Sequence, residues 1–218
     1  EFDLNNSTRN SNCSPMTFIR LGTSGGVQPN ISPGTLAIAS YALGLDSTGI
    51  YYDQPPEDEI VERIEKAAEE ILTEATANTS RFKGKIIPYA SKASAEVTDA
   101  LVNQATNHNV AFEAGITVSS PGFYGPSSRF VDGLKNTLPN IKGSLSKLNI
   151  DGLKVLNMEM ESSLLFHLCS QMGYRAGTIC TVISAPTESD VIIDYDAAIG
   201  NTIDIGLNAL VELNETNK

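Results

Sequence analysis

An arginine followed by a glycine-rich segment is the feature of this sequence most suited to chemistry. Residues 18–28 read FIRLGTSGGVQ, so apolar residues surround Arg20 and Gly-Thr-Ser-Gly-Gly follows at once. We predict a short strand that delivers Arg20 to a turn, where glycines let the backbone approach a ligand and Thr23 and Ser24 add hydroxyls. An arginine, hydroxyls and free backbone N–H groups suit an anion such as phosphate. The alternative is a strand-to-loop turn without a ligand.

Two glutamates form a second candidate for chemistry. Residues 157–163 read NMEMESS, after the apolar run Leu153–Leu156 and before a helix-like run over Ser163–Met172. Carboxylates at this position can accept paired hydrogen bonds from the vicinal hydroxyls of a sugar, and the positive end of the following helix favours Glu161. The alternative is a solvated pair of acids, Glu159 and Glu161, at a helix start.

A third segment combines aromatic residues with an arginine. Residues 115–129 read GITVSSPGFYGPSSR, which indicates a strand that ends in small residues and runs into a loop. Phe123 or Tyr124 can stack on a ring, and Arg129 can donate to a carbonyl or to a departing anion. The alternative is an ordinary Gly/Pro loop with an aromatic plug.

In this order and spacing, the three segments resemble the nucleoside phosphorylases of the uridine phosphorylase branch. RLGTSGG is similar to the family's phosphate and ribose segment, FYGPSSR to its base-binding loop and NMEMES to its ribose motif. The resemblance runs from about Glu1 to Leu213. It implies a pentosyltransferase of nucleoside salvage that catalyses reversible phosphorolysis of a pyrimidine nucleoside such as uridine. Phosphate attacks the anomeric carbon, and the products are ribose 1-phosphate and the free base.

The resemblance also assigns roles to individual residues. It implies Arg20 and Thr23 as the phosphate ligands and, with Glu161, as the catalytic residues. The residues implied for ribose are Thr23, Glu159, Met160 and Glu161, and those implied for the base are Ser24, Gly25, Phe123, Ser127, Arg129 and Ile183. Because the transition state of such a reaction resembles an oxocarbenium ion, catalysis should rest on positioning and electrostatics. No metal and no organic cofactor is implied, since phosphate is a substrate.

The sequence departs from the family's pattern at the base. Pyrimidine-specific members carry a glutamine two residues before the arginine matched by Arg129, and this chain has Ser127 there. A hydroxyl cannot make the bidentate pair with uracil, and losing such a contact costs roughly 1–3 kcal/mol. Purine-specific relatives use an aspartate for which the nearest match is Ser184, and Asp190 is a poor substitute on spacing. A changed base preference, purine or broad, and a non-catalytic nucleoside-binding or storage homologue therefore stay open as alternatives.

The chain also starts late relative to the family's pattern. Members have roughly a further quarter of sequence before the matched stretch, which carries another phosphate-binding glycine loop and gives the neighbouring subunit an arginine and a histidine. We therefore expect the chain alone to be a poor phosphorylase. The resemblance implies a homo-oligomer, a dimer or a trimer of dimers. The two histidines, His108 and His167, are interpreted as structural.

Composition and charge narrow the class of protein further. The chain has 218 residues, 41% of them hydrophobic and 19% charged, which suffices for one domain over residues 1–218. A net charge of −11 argues against nucleic acid and anionic membranes as partners. Of three cysteines, Cys169 and Cys180 fall in apolar runs and are predicted to be buried thiols, whereas Cys13 does not. This usage suits a reducing compartment, so we expect a cytoplasmic protein.

Strands and helices are predicted to alternate along the chain. The predicted strands are Phe18–Arg20, Thr35–Ile38, Val110–Ser119, Leu153–Met158 and Ala176–Ile183. The predicted helices are Glu59–Ala77, Ser94–Thr106, Ser163–Met172 and Asp196–Leu213. This alternation favours a layered α/β domain. The resemblance sharpens it to a three-layer α/β/α sandwich with a mixed, partly barrelled central sheet.

Overall fold

A computed structural model describes residues 2–3, 5–6, 8–9, 15–185 and 194–215. Cys13 and Asp190 lie outside the described residues. The strands are β1 (Phe2–Asp3), β2 (Thr8–Arg9), β3 (Thr17–Gly26), β4 (Leu36–Gly44), β5 (Tyr89–Lys92), β6 (Phe112–Ser119), β7 (Asn149–Ile150), β8 (Leu153–Glu159) and β9 (Arg175–Ser184). The helices are α1 (Glu59–Ala75), α2 (Ala95–Asn107), α3 (Ile141–Leu145), α4 (Ser162–Met172) and α5 (Tyr195–Glu215). None of the described helices is long and apolar enough to cross a membrane.

Five strands of the main sheet form a closed ring. They pair in the order β3, β9, β4, β6 and β8, and β8 pairs back onto β3. Strand β5 adds to β4 and strand β7 adds to β8, while β1 and β2 form a separate antiparallel pair. The ring contains both parallel and antiparallel pairs. The mixed, partly barrelled sheet is therefore confirmed.

The ring closes at the glycine-rich segment of β3. Gly25 pairs with Met158 and Gly26 pairs with Asn157, directly after an irregularity in the pairing of β3 with β9. The prediction that the strand ends at Arg20 and gives way to a turn was wrong. Because β3 pairs with β9 along its length and with β8 at its end, the sheet uses backbone groups that the sequence suggested were free for a ligand.

Helices flank the sheet in three packed groups. Helices α2 and α5 pack on β3, β4 and β9 around a cluster that includes Leu36, Ile38, Leu101, Ile179 and Ile205. Helices α1 and α3 pack on the sheet around a second cluster that includes Leu43, Ile64, Leu72, Ile116 and Leu145. Helix α4 buries Phe166 in a third cluster against β4 and β9. The three-layer α/β/α architecture is therefore confirmed.

Helix α1 shows why the clearest periodicity was predicted well. Val61, Ile64, Ala68 and Leu72 form its buried stripe. The helix ends at Ala75 rather than at Ala77, because Thr76 adopts an extended backbone conformation, and its hydroxyl donates to the Leu72 carbonyl. The other three predicted helices, and the predicted strands that correspond to β6, β8 and β9, differ from the observed elements by one or two residues at one or both ends. Strand β5 and helix α3 were not predicted, because four and five residues are too few to establish a period.

Both histidines have structural surroundings, as predicted. His167 is buried in α4, with Nε2 2.6 Å from the Tyr52 carbonyl oxygen and Nδ1 3.2 Å from Ser91 Oγ. His108 follows α2 and places Nδ1 2.8 Å from the Gln104 carbonyl oxygen. The two described cysteines are buried free thiols, which confirms that prediction.

Candidate active site

One cavity collects every residue to which the resemblance assigned a role, whereas Tyr124, the other aromatic residue considered for stacking, does not line it. It lies where β3, β8 and β9 end, beside the loop after β6 and helix α3. It is lined by Arg20, Thr23, Ser24, Gly25, Phe123, Ser127, Arg129, Lys142, Met158, Glu159, Met160, Glu161, Ile183 and Ser184. Segments far apart in the chain thus meet at one place because the strands that carry them are neighbours in the ring. In the described part of the chain, no group of three or more His, Cys, Asp or Glu side chains is arranged to hold a metal.

Arg20 is held between two carboxylates at one end of the cavity. Its Nη1 lies 3.2 Å from Glu159 Oε2, and its Nη2 donates to the Glu161 carboxylate. Nη1 also lies 2.9 Å from the Cys180 sulfur behind it. Burial raises the pKa of the Cys180 thiol to about 12, so the sulfur stays neutral beside the guanidinium. These contacts fix the plane of the guanidinium at the cavity wall.

Glu159 is a buried acid whose oxygens are already satisfied by the protein. Only 1% of its side chain is exposed. It accepts hydrogen bonds from Ser119 Oγ at 2.6 Å and from the backbone amides of Glu161 and Ser162 at 3.0 to 3.2 Å. The stabilising interaction with the start of α4, which the sequence predicted for Glu161, is therefore made by Glu159. Glu159 is placed to orient Arg20 and the turn before α4.

Glu161 is the acid that remains available to a ligand. Its side chain is 58% exposed, and it makes no capping hydrogen bond to α4 because it turns toward Arg20. One oxygen is paired with Arg20, and the other has no hydrogen-bond partner among the residues that the structure describes. Met160, next to it, exposes its apolar side chain to the cavity. The pair therefore offers a free carboxylate oxygen beside an apolar surface.

A buried polar chain fixes the floor of the cavity. Asn157 Nδ2 donates to Ser24 Oγ at 2.9 Å, and Thr117 Oγ1 donates to Asn157 Oδ1 at 2.8 Å. All three side chains are buried. They link β3, β8 and β6 across the ring, so Ser24 is held from behind while it lines the cavity. Sequence reasoning missed Asn157 because its partners are distant in the chain.

The opposite end of the cavity contains an aromatic ring and a stacked arginine. The Arg129 guanidinium lies 3.8 Å from the centroid of the Phe123 ring. Phe123 is half exposed, so its ring remains accessible to a ligand. Ser127 Oγ donates to the Gly122 carbonyl at 2.7 Å and lies 3.2 Å from Ser120 Oγ. Ser127 is thus tied into its own loop.

Lys142 is the cavity residue with charge that the sequence did not indicate. It comes from the five-residue helix α3 and is partly buried. Burial, and then the charge of the nearby Arg129, lower the pKa of Lys142. No motif surrounds it, so only the fold reveals its place in the cavity.

The fold and the cavity together define an α/β protein with a small-molecule site built on a closed sheet. The family model described as the phosphorylase superfamily matches residues 5–210, and the chain belongs to that superfamily.

Individual relatives agree with this family. The chain is 30% identical over 175 residues to a uridine phosphorylase of Haemophilus influenzae, which covers 80% of this chain and 56% of that protein. It is 32% identical over 171 residues to a uridine phosphorylase of Thermococcus kodakarensis, covering 77% of this chain and 48% of the relative. The crystal structure of a Trypanosoma brucei nucleoside phosphorylase that shows uridine phosphorylase activity superposes with a TM-score of 0.79 at 26% identity, covering 97% of this chain and 72% of that one. The chain thus spans about half the length of the curated relatives it matches.

Proposed function

We propose that this protein is a nucleoside phosphorylase that acts on a pyrimidine nucleoside such as uridine. The observation that carries the proposal is the single cavity in which the RLGTSGG, FYGPSSR and NMEMES segments meet. Membership of the phosphorylase superfamily and the similarity to uridine phosphorylases support it.

Phosphate would occupy the end of the cavity at Arg20 and Thr23. The guanidinium carries five N–H donors, so its pairs with Glu159 and Glu161 leave donors for a phosphate oxygen. Thr23 lines the same cavity, and its hydroxyl would add a further donor. Because the carboxylates fix the guanidinium, little reorganisation is needed when the anion binds.

Ribose would lie beside Met160 and Glu161. The free oxygen of Glu161 would accept hydrogen bonds from the vicinal hydroxyls, and its ion pair with Arg20 would hold sugar and phosphate in contact. As the bond from the anomeric carbon to the base breaks, the sugar gains positive charge. The Glu161 carboxylate beside the sugar would stabilise that charge.

The base would lie against Phe123, with Arg129 beside it and Ile183 lining the pocket. The electron pair of the broken carbon–nitrogen bond leaves with the base, so a cation at this end favours departure. The proposal requires no metal and no organic cofactor, because phosphate is the second substrate. The proposal includes a cytoplasmic location. It also includes assembly into a homo-oligomer, either a dimer or a trimer of dimers.

The experiment is a phosphorolysis assay on the whole protein. Uridine, thymidine, inosine and adenosine are each incubated with and without phosphate, and free base and ribose 1-phosphate are measured by chromatography. We expect uracil and ribose 1-phosphate from uridine only when phosphate is present. Base release that does not depend on phosphate would contradict the proposal.

The pairing of Arg20 with two acids favours a second candidate, nucleoside binding without turnover. A guanidinium neutralised by Glu159 and Glu161 attracts phosphate less than a free one does. Calorimetric binding of uridine with no phosphorolysis under any phosphate concentration would support this candidate instead.

A further inference from the structure

The two ends of the cavity differ in their balance of charge. Arg20 is paired with Glu159 and Glu161 at one end. At the other end, neither Arg129 nor Lys142 has a carboxylate partner within the described part of the chain. The uncompensated positive charge therefore lies at the end where the base would bind.

The Lys142 ammonium reaches into the space that a side chain at position 25 would fill. A Cβ built on Gly25 would lie 2.6 Å from Lys142 Nζ and 3.1 Å from Ser184 Oγ. A side chain at this position would displace the lysine ammonium from its observed place. Because Gly25 has no side chain, the Lys142 ammonium can occupy this part of the cavity.

Lys142 Nζ has no hydrogen-bond acceptor among the described residues. Solvent still reaches this nitrogen, because it is not among the fully buried polar atoms that lack a partner. Its N–H donors are therefore open to an oxygen atom of a ligand in the cavity, which would also offset the repulsion from the nearby Arg129.

Ser127 is poorly placed to supply the hydrogen bonds that a carboxamide would give. Its hydroxyl proton goes to the Gly122 carbonyl, and its oxygen lies next to Ser120 Oγ. Recognition of the base edge must therefore come from other groups of the cavity, and Arg129 and Lys142 are the charged side chains there with unused donors.

We propose that Lys142 selects the base, by donating a hydrogen bond to the carbonyl oxygen at ring position 4 of an oxo-base such as a 2,4-dioxopyrimidine. This inference rests on the proposed function and names the residue that sets the substrate class. An amino group in place of the carbonyl would meet a donor with a donor, so amino-bases such as cytosine are disfavoured.

The same contact assists the reaction. A phosphate oxygen forms a bond to the anomeric carbon while the carbon–nitrogen bond breaks, and the electron pair of that bond leaves with the base. In an oxo-base, the negative charge spreads from the ring nitrogen to the carbonyl oxygens, and water later supplies the proton. An ammonium at a carbonyl oxygen stabilises this charge more than it stabilises the intact nucleoside.

The test compares Lys142→Met and Lys142→Gln with Lys147→Met as the matched control. Lys147 lies just after α3 and is exposed outside the cavity. Steady-state phosphorolysis of uridine gives kcat/KM and the KM for phosphate, and calorimetry gives the Kd of free uracil and of free cytosine. Circular dichroism and thermal unfolding establish that each variant is folded.

We expect Lys142→Met to weaken uracil binding and uridine kcat/KM roughly 10- to 150-fold, the loss of one charged hydrogen bond. Cytosine binding should not weaken, because the donor that opposes its amino group is removed, and the KM for phosphate should stay near its original value. Lys142→Gln should lose less uracil affinity and less uridine kcat/KM than Lys142→Met, because its amide keeps a donor. Lys147→Met should behave as the parent protein.

Two results would overturn the inference. One is an unchanged preference for uracil over cytosine in folded Lys142→Met, and the other is a raised KM for phosphate with unaltered base binding, which would place Lys142 at the anion. If the parent protein cleaves no nucleoside, the proposed function fails, and base binding alone then decides the role of Lys142.

Discussion

The ion pair between Arg20 and Glu161 couples the part of the cavity that we propose for phosphate to the part that we propose for ribose. A planar guanidinium with five donors can bind a carboxylate on one edge and a phosphate on another. Glu159, which is buried and fully bonded, holds this arrangement from behind. The three residues therefore act as one unit in which a change at any of them shifts the others.

Replacing Glu161 with glutamine should lower kcat/KM for uridine. The amide loses the ion pair with Arg20 and accepts sugar hydroxyls through one oxygen only, and loss of a charged hydrogen bond costs roughly 1.5–3 kcal/mol. Steady-state kinetics would show this, with Glu70→Gln on the exposed face of α1 as the control. Unchanged kinetics would mean that Glu161 is only a solvated acid before a helix.

Gly22 controls the position of Arg20, because the guanidinium folds over it. A Cβ at position 22 would lie 2.5 Å from Arg20 Nη1. Gly22→Ala should therefore push the guanidinium from its carboxylates and raise the KM for phosphate. In contrast, Gly200→Ala in α5 meets nothing within 4 Å and should add about 0.5–1 kcal/mol of stability without a kinetic effect. Equal kinetics for the two variants would show that Arg20 is not held by this contact.

At the scale of elements, Asp58 ties the first helix to the sheet. It accepts hydrogen bonds from the amides of Ile60 and Val61, and its other oxygen lies 2.9 Å from both Tyr41 Oη and Lys92 Nζ. Partial burial alone would raise the pKa of Asp58, but the hydrogen bonds from Lys92, Tyr41 and the Val61 amide outweigh it and lower the pKa.

Removing this cap should destabilise the protein in a way that depends on pH. Asp58→Ala should cost about 0.5–2 kcal/mol at pH 7 through the lost cap. Because the pKa is lower in the folded state, the ionised form stabilises the fold above the unfolded pKa of about 3.9, and this stabilisation is lost as the pH falls through the folded pKa. Asp58→Asn keeps an acceptor and loses only the charge. Its deficit in the free energy of unfolding relative to the parent protein should therefore become smaller below about pH 4.

Urea unfolding at pH 7, 5, 4 and 3 would measure both effects. Asp99→Asn, an exposed change on α2, serves as the control and should follow the parent protein. A deficit for Asp58→Asn that is the same at every pH would show that the carboxylate charge contributes nothing.

Periodicity predicted the long elements, and sheet pairing decided the rest. The apolar stripe of α1 specifies a helix by itself. The segment at Gly25 looks like a turn because glycine is disfavoured in isolated strands, and only its two neighbours in the ring make it a strand. The resemblance named the cavity residues that lie in motifs. It could not name Lys142, whose place depends on packing of a very short helix against a distant glycine.

At the scale of the whole molecule, the cavity depends on segments from most of the chain. A nucleoside bound with phosphate should therefore stabilise the fold globally, by about 2.7 kcal/mol at a hundred times Kd. Thermal unfolding with and without uridine and phosphate would measure this gain. Hydrogen exchange should slow at the end of β3, in the loop after β6 and at the turn before α4, while the start of α1 should keep its rate. Protection at α1 alone would place the ligand elsewhere.

The meeting of β3 and β8 has a consequence for the time course of folding. Gly25 and Met158 belong to opposite halves of the chain, so their pairing closes one of the largest loops in the molecule. Contacts between such distant residues form slowly compared with helices. The cavity lies at this seam, so a chain with all its helices but an open ring would have no binding site. During refolding, nucleoside binding should appear later than the helical signal. The delay between the two signals would then report when β3 and β8 pair and close the ring.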